Sequence, residues 1–233
     1  MKAPIKTAEV MNLDRRELAA KIEHAFLKPD TDVNAIRRGI SDSVEAGLGA
    51  VVLQPCHVKM AANVTDGSRT KVVAVVGFPL GGTYTEAKVL ETRMCIDQGA
   101  DEIDMVMNLS LFASGEYGQV QRDVEAVISS AQGRPVKVII ETSLWDEGAI
   151  VKACQLARDA GASFVKTSTG FFGGAEEWSV RLIRKSVGNR LGVKASGGIR
   201  DLSKMLAMLS AGADRIGTSS SLEILDQWDK RFR

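Results

Sequence analysis

The 233-residue chain is 45% hydrophobic and 25% charged, with a formal net charge of +1 and its acidic and basic residues interspersed. That composition supplies one full core and no electrostatic footprint for nucleic acid or an anionic membrane, so the expected partner is a small molecule. Three cysteines (Cys56, Cys95, Cys154), an odd number without close spacing, argue against a disulfide framework and a zinc cluster, and they read as reduced thiols of a cytoplasmic protein. Residues 1–10, MKAPIKTAEV, carry no apolar run of signal-peptide length, and no later stretch suits a transmembrane helix.

In chain order, Asp14 is placed to cap a short N-terminal helix, and KIEHAFL (21–27) reads as the first strand. Asp32 caps the next helix, after which AGLGAVVL (46–53) gives a helix end, a glycine and a second strand. KVVAVVGF (71–78), QGADEIDMVM (98–107), PVKVIIET (135–142), AGASFVKTS (160–168), GVKASGG (192–198) and AGADRIGTS (211–219) supply six more. Helical segments lie between them; in 147–160, Ile150, Cys154 and Ala157 form one apolar stripe. Eight strands alternating with helices predict an α/β fold, a single-domain (β/α)8 TIM barrel over residues 1–233 with a short N-terminal helix. An open doubly wound sheet would carry fewer strands and a dinucleotide fingerprint.

A barrel strand shows alternate residues to the helices and to the lumen. Apolar Ile103, Met105 and Met107 turn outward and leave Glu102, Asp104 and Val106 inside; Val136, Val138 and Ile140 likewise leave Lys137, Ile139 and Glu141. Phe164, Lys166 and Ser168 share the inner side of the sixth strand, and Lys194 and Ser196 that of the seventh. One lysine in a strand commonly snorkels into water. Five charges meeting in one interior (Asp104, Lys137, Glu141, Lys166, Lys194) require either a fully paired ionic network or a function. Imine chemistry fits them. An amine attacks a carbonyl only when unprotonated, whereas free lysine titrates near about 10.4. Burial and a neighbouring Lys194 would lower that value for Lys166, and Asp104 would orient water or shuttle protons.

SGGIR (196–200) and GTSSS (217–221) fall at the C-terminal ends of the last two strands, where glycine amides and helix N-termini suit a phosphate, with Ser219 and Ser220 as hydroxyl donors. Other residues read as structural. His24 is expected to face helices or the rim, His57 to lie at a surface or cap, and Cys56 to be buried. The tail LDQWDKRFR, with Trp228 and Phe232, fits helix packing or a subunit contact, which leaves room for a homo-oligomer.

Taken together and in chain order, VVGFPLGG, DEIDMVMN, KVIIET, FVKTSTGF, VKASGGIR and RIGTSS resemble the deoxyribose-phosphate aldolase family of class I, Schiff-base-forming aldolases. The resemblance runs from about the first strand to the eighth. It implies that Lys166 is the Schiff-base lysine, Lys194 the lysine that lowers its pKa, and Asp104 the acid/base partner acting with water. It further implies reversible cleavage of 2-deoxy-D-ribose 5-phosphate to D-glyceraldehyde 3-phosphate and acetaldehyde, with no metal or other cofactor. Gly170, Gly197, Gly198, Gly217, Ser219 and Ser220 fall where that family holds the phosphate, and Glu23 is the inward carboxylate of the first strand, among the residues expected to bind substrate.

Several positions depart from the family pattern. IEHAF stands for a form with Asp-His-Thr, giving Glu23 and Ala25; Gln54 stands for Asn, Ser221 for Gly, and GFFGGAEEW is a shortened loop. All are expected around the pocket rather than at the reacting carbon. They leave open a related Schiff-base aldolase of different aldehyde specificity and a non-catalytic sugar-phosphate-binding barrel.

Overall fold

A computed structural model describes residues 13–232. The reading of residues 1–10 lies outside the described residues. Asp14 caps α1 (Arg15–Ala19) through a capping box with Glu17, and β1 (Ile22–Phe26) follows. The Asp32 carboxylate accepts from the amides of Asn34 and Ala35 at 2.9 and 3.1 Å and starts α2 (Val33–Glu45). Next come β2 (Ala50–Leu53), α3 (Val58–Thr65), β3 (Lys71–Val76), α4 (Thr85–Asp97) and β4 (Glu102–Val106). Two helices, α5 (Leu109–Ala113) and α6 (Tyr117–Ser130), precede β5 (Val136–Ile139). The series ends with α7 (Glu147–Asp159), β6 (Phe164–Lys166), α8 (Glu177–Val187), β7 (Gly192–Ser196), α9 (Leu202–Ser210), β8 (Arg215–Thr218) and α10 (Ser221–Phe232).

The strands pair in parallel, each with the next, and β8 closes on β1 through Ile22↔Ile216 and Glu23↔Gly217. This is the (β/α)8 barrel that the alternation predicts. The recurring glycine at helix ends is also explained: Gly47, Gly99, Gly161 and Gly212 all have φ between 73° and 110°, the left-handed turn that lets a helix end and the next strand begin.

Outward strand residues such as Val51, Val72, Ile103, Val138, Val165 and Val193 join the helices in one continuous apolar core. The α7 stripe of Ile150, Cys154 and Ala157 is buried there. Trp228 of α10 is buried in the same core and stacks on exposed Phe232 at 4.2 Å, so the C-terminal segment is a packed helix. The lumen is divided. Ala50, Val52, Val73 and Val75 of β2 and β3 form a separate apolar cluster with Ala25, Leu27 and Phe78, whereas charged side chains fill the side built by β4 to β8 and β1.

Three local expectations need correction. β5 ends at Ile139, and Glu141 beyond it takes a left-handed conformation (φ 55°) that is unusual for a side-chain-bearing residue. β6 is shorter than expected and ends at Lys166, so Ser168 lies in the following loop, where its hydroxyl meets that of Thr142. Cys56 is exposed rather than buried, because a 3-10 turn over Pro55–His57 carries it out of the barrel after β2.

Candidate active site

Parallel register brings the predicted residues level. Asp104 pairs with Lys137 across β4 and β5, Ile139 with Lys166, and Lys166 with Lys194. The Asp104 carboxylate is the hub. It accepts from Lys137 Nζ at 2.9 Å on one oxygen, and from Lys166 Nζ at 2.8 Å and Lys194 Nζ at 2.6 Å on the other. Beneath it, Lys137 also meets Glu102 at 2.7 Å, Lys194 meets Glu23, and Arg215 reaches Glu23 at 3.0 Å and Glu102 at 2.9 Å. Among the described residues no buried side-chain N or O atom lacks a hydrogen-bond partner. The lumen charges therefore form one hydrogen-bonded ionic network, and it contains the lysines that imine chemistry would use.

Electrostatics separate these groups. Three lysine charges pull Asp104 well below the usual carboxylate range against the cost of its burial, and Lys137 and Lys194 hold Glu23 at about 2. Lys137, surrounded by three carboxylates, is pushed up. Lys166 goes the other way, to about 8. Burial is the main cause, with Lys194 adding repulsion and Asp104 opposing both. Both causes named from sequence act here, and desolvation is the stronger.

Lys166 and Lys194 open onto a cavity of about 450 Å³ at the C-terminal ends of the strands. Gly170, Gly197, Gly198, Gly217 and Ser219, five of the residues expected to hold a phosphate, line it. Ser220 is not in the lining; its amide donates to Thr218 Oγ1 at 2.9 Å as the chain enters α10. Glu23 is not in the lining either. It is fully buried under Lys194, so it holds a lysine rather than a sugar hydroxyl. Of the other departures from the family pattern, Ala25 lines the cavity. Gln54 does not, and Ser221 is buried behind the barrel, where its hydroxyl meets His24 Nδ1 at 2.9 Å. Among the described residues no group of His, Cys, Asp or Glu side chains is arranged to hold a metal ion.

The cavity walls depend on close backbone approach. A Cβ on Gly197 would stand 2.8 Å from the Gly173 carbonyl oxygen and 2.9 Å from Gly174 Cα, and one on Gly217 would stand 2.8 Å from Ser196 Cβ and 3.2 Å from Lys194 Cε. These glycines let the loops after β6 and β7 touch and give Lys194 its path. Glu141, read from sequence as one of the lumen charges, serves the same loop: its carboxylate accepts from the Thr169 amide at 2.9 Å, a hydrogen bond to a residue of the cavity wall.

Sequence reasoning missed Arg215, Lys28 and Arg200. Arg215 shares strand parity with Gly217 and was detectable by the same alternation. Lys28 and Arg200 line the mouth from loops, where no periodicity marks them.

A family model described as DeoC/LacD family aldolase matches residues 10–227. The chain belongs to the DeoC/LacD family of aldolases. This family member is 48% identical over 217 residues to a deoxyribose-phosphate aldolase of Aciduliprofundum boonei, covering 92% of this chain and 98% of the relative. It is 45% identical over 221 residues to one from Methanothermobacter thermautotrophicus, covering 94% and 98%. Among solved structures, a deoxyribose phosphate aldolase from Aeropyrum pernix, described as a unique tetrameric structure, superposes with a TM-score of 0.90 at 31% identity, covering 99% of this chain and all of that one. A structure described as QR15, an aldolase, gives 0.88 at 42%, covering 92% and 96%.

Proposed function

We propose that this DeoC/LacD family member is a deoxyribose-phosphate aldolase, cleaving 2-deoxy-D-ribose 5-phosphate reversibly to D-glyceraldehyde 3-phosphate and acetaldehyde, with the whole chain acting as one catalytic domain. The observation that carries the reading is a buried Lys166 amine, lowered to about 8, at the floor of a cavity whose rim is built from glycines, Ser219, Lys28 and Arg200. In the open-chain sugar, the neutral Lys166 nitrogen bonds to the aldehyde carbon and the carbonyl oxygen leaves as water. The resulting iminium accepts the electron pair of the bond between the second and third sugar carbons. The third carbon's hydroxyl gives up its proton and becomes the aldehyde of glyceraldehyde 3-phosphate. The two-carbon enamine takes a proton and is hydrolysed to acetaldehyde, restoring Lys166.

Asp104 is the acid/base partner for that proton, acting with water. It also orients Lys166, whose Nζ stands 2.8 Å from its carboxylate, and its charge stabilises the iminium that forms there. Lys194 adds repulsion that favours the free amine and stands beside Gly217 where the phosphate loops begin. The Gly197–Gly198 and Gly217–Ser219 amides, with Lys28 and Arg200, meet the phosphate. The partners are thus a phosphorylated sugar and a short aldehyde. Three free cysteines fit a cytoplasmic enzyme, and the tetrameric relative supports a homo-oligomer. Incubation with acetaldehyde and borohydride is expected to leave a reduced two-carbon adduct on the peptide containing Lys166. No adduct there would overturn the reading. Ala25 in the cavity wall favours a second one, altered aldehyde preference, which a panel of donor aldehydes decides.

A further inference from the structure

The ionic network of the lumen does not balance. Fully ionised, Lys137, Lys166, Lys194 and Arg215 set four positive charges against the three carboxylates of Glu23, Glu102 and Asp104. Among the described residues no other acid forms an ion pair with these four cations. Asp101 is held by Lys71 and Arg134, Asp214 by Arg184, and Glu141 turns to the Thr169 amide. Lys28 and Arg200 at the mouth add positive charge. A poorly solvated interior penalises the excess, and the network relieves it by releasing a proton from its least compensated lysine. Lys137 pairs with three carboxylates, Lys194 with Glu23 and Asp104, and Lys166 with Asp104 alone. The guanidinium of Arg215 does not deprotonate.

Arg215 stands apart from the reacting atoms. It sits at the start of β8, at the floor of the barrel, with its guanidinium 5.0 Å over the Phe164 ring and its ion pairs directed to Glu23 and Glu102. Without its charge the network would hold three positive and three negative groups, and each lysine could stay protonated. We propose that Arg215 is a positioning residue of the imine-forming site: it engages Glu23 and Glu102 from the floor, leaves the network one positive charge in excess, and so makes Lys166 easier to deprotonate. The inference rests on the imine-forming reading of Lys166. Arg215 acts through the carboxylates, since each one it engages is less able to hold a proton on the lysines above.

The test is the pH dependence of reductive trapping of acetaldehyde on Lys166, with the adduct located by peptide mapping. Arg215→Met is expected to raise the midpoint on the order of one pH unit, a partial effect because the guanidinium is partly solvated. Glu102→Gln, which increases the excess, should lower it. The double variant Glu102→Gln/Arg215→Met removes one charge of each sign and should return the midpoint towards that of the unaltered protein, as should the charge-conserving Arg215→Lys. An unmoved midpoint in Arg215→Met, or shifts of the same sign in both single variants, would overturn the proposal. Should Arg215→Met not fold, the comparison of the double variant with Glu102→Gln decides: the added Arg215→Met must raise the midpoint, and equal midpoints overturn the proposal. Normal trapping with unmoved variants defeats this inference alone, whereas no adduct on Lys166 in the unaltered protein defeats it together with the imine reading.

Discussion

At the residue scale, Lys166 and Lys194 are both buried lysines, and their neighbours separate them. Lys166 has one carboxylate partner and faces the cavity, and its value near 8 means that the free amine falls about tenfold for each pH unit below that point. Lys194→Leu removes the repulsion and leaves burial in place. The trapping midpoint is therefore expected to rise by about one unit rather than to the value of free lysine, and a pH series of adduct yields measures it. An unchanged profile would refute the role assigned to Lys194. The roles of Lys166, Lys194 and Asp104 were suggested by strand parity and by the family resemblance. Glu23 was legible as an inward carboxylate but not as the partner of Lys194, because that contact joins residues 171 positions apart.

At the element scale, the loops after β6 and β7 interlock through Gly170, Gly173, Gly174 and Gly197, and the Ala175 amide donates to the Gly197 carbonyl at 3.0 Å. Gly197→Ala forces a Cβ into the facing backbone at a position with φ of 93°. Its expected cost falls on phosphate recognition: KM for the phosphorylated sugar rises on the order of tenfold or more, while turnover of an unphosphorylated analogue changes little. Steady-state kinetics on the two substrates separate these effects. The glycine pairs were readable as loops of the cavity from their place at strand ends. Their mutual contact was not, because it depends on the neighbouring loop's path, which Glu141 holds through Thr169.

At the scale of the whole molecule, two features set stability. Away from the cavity, Lys88 of α4 is buried and donates to Asp123 of α6 at 2.6 Å and to the Val106 carbonyl at 3.0 Å, tying two helices to β4. Lys88→Met leaves Asp123 uncompensated and is expected to destabilise by about 3–5 kcal/mol, whereas Lys88→Met/Asp123→Leu should recover much of that loss in urea unfolding. Acid acts through His24, which burial depresses from 6.5 to about 4. Between those values the unfolded chain binds the extra proton, so stability falls as pH drops through this window, by about 1.4 kcal/mol per unit. Glu23, held at about 2, adds a further loss as pH falls below the ordinary glutamate value. His24→Asn should flatten the upper part of the slope when unfolding midpoints are compared from pH 7 to 4.

The sequence alone determined the alternation of strands and helices, the capping aspartates, the helix-ending glycines and the inward side of the fourth to seventh strands. These follow from local backbone geometry and the two periods of side-chain direction. It also identified Asp104, Lys137, Lys166 and Lys194 as inhabitants of one lumen. Tertiary structure decided the pairings: which lysine keeps a single carboxylate, how Glu23 and Arg215 meet across 192 residues, and that the apolar side chains of β2 and β3 occupy the other part of the lumen. Those outcomes depend on side-chain contacts across the closed barrel, where β8 meets β1, and the alternation that predicts closure does not specify them. Burial, charge balance and backbone approach are properties of the closed barrel, and they turn a row of alternating residues into an amine poised to attack.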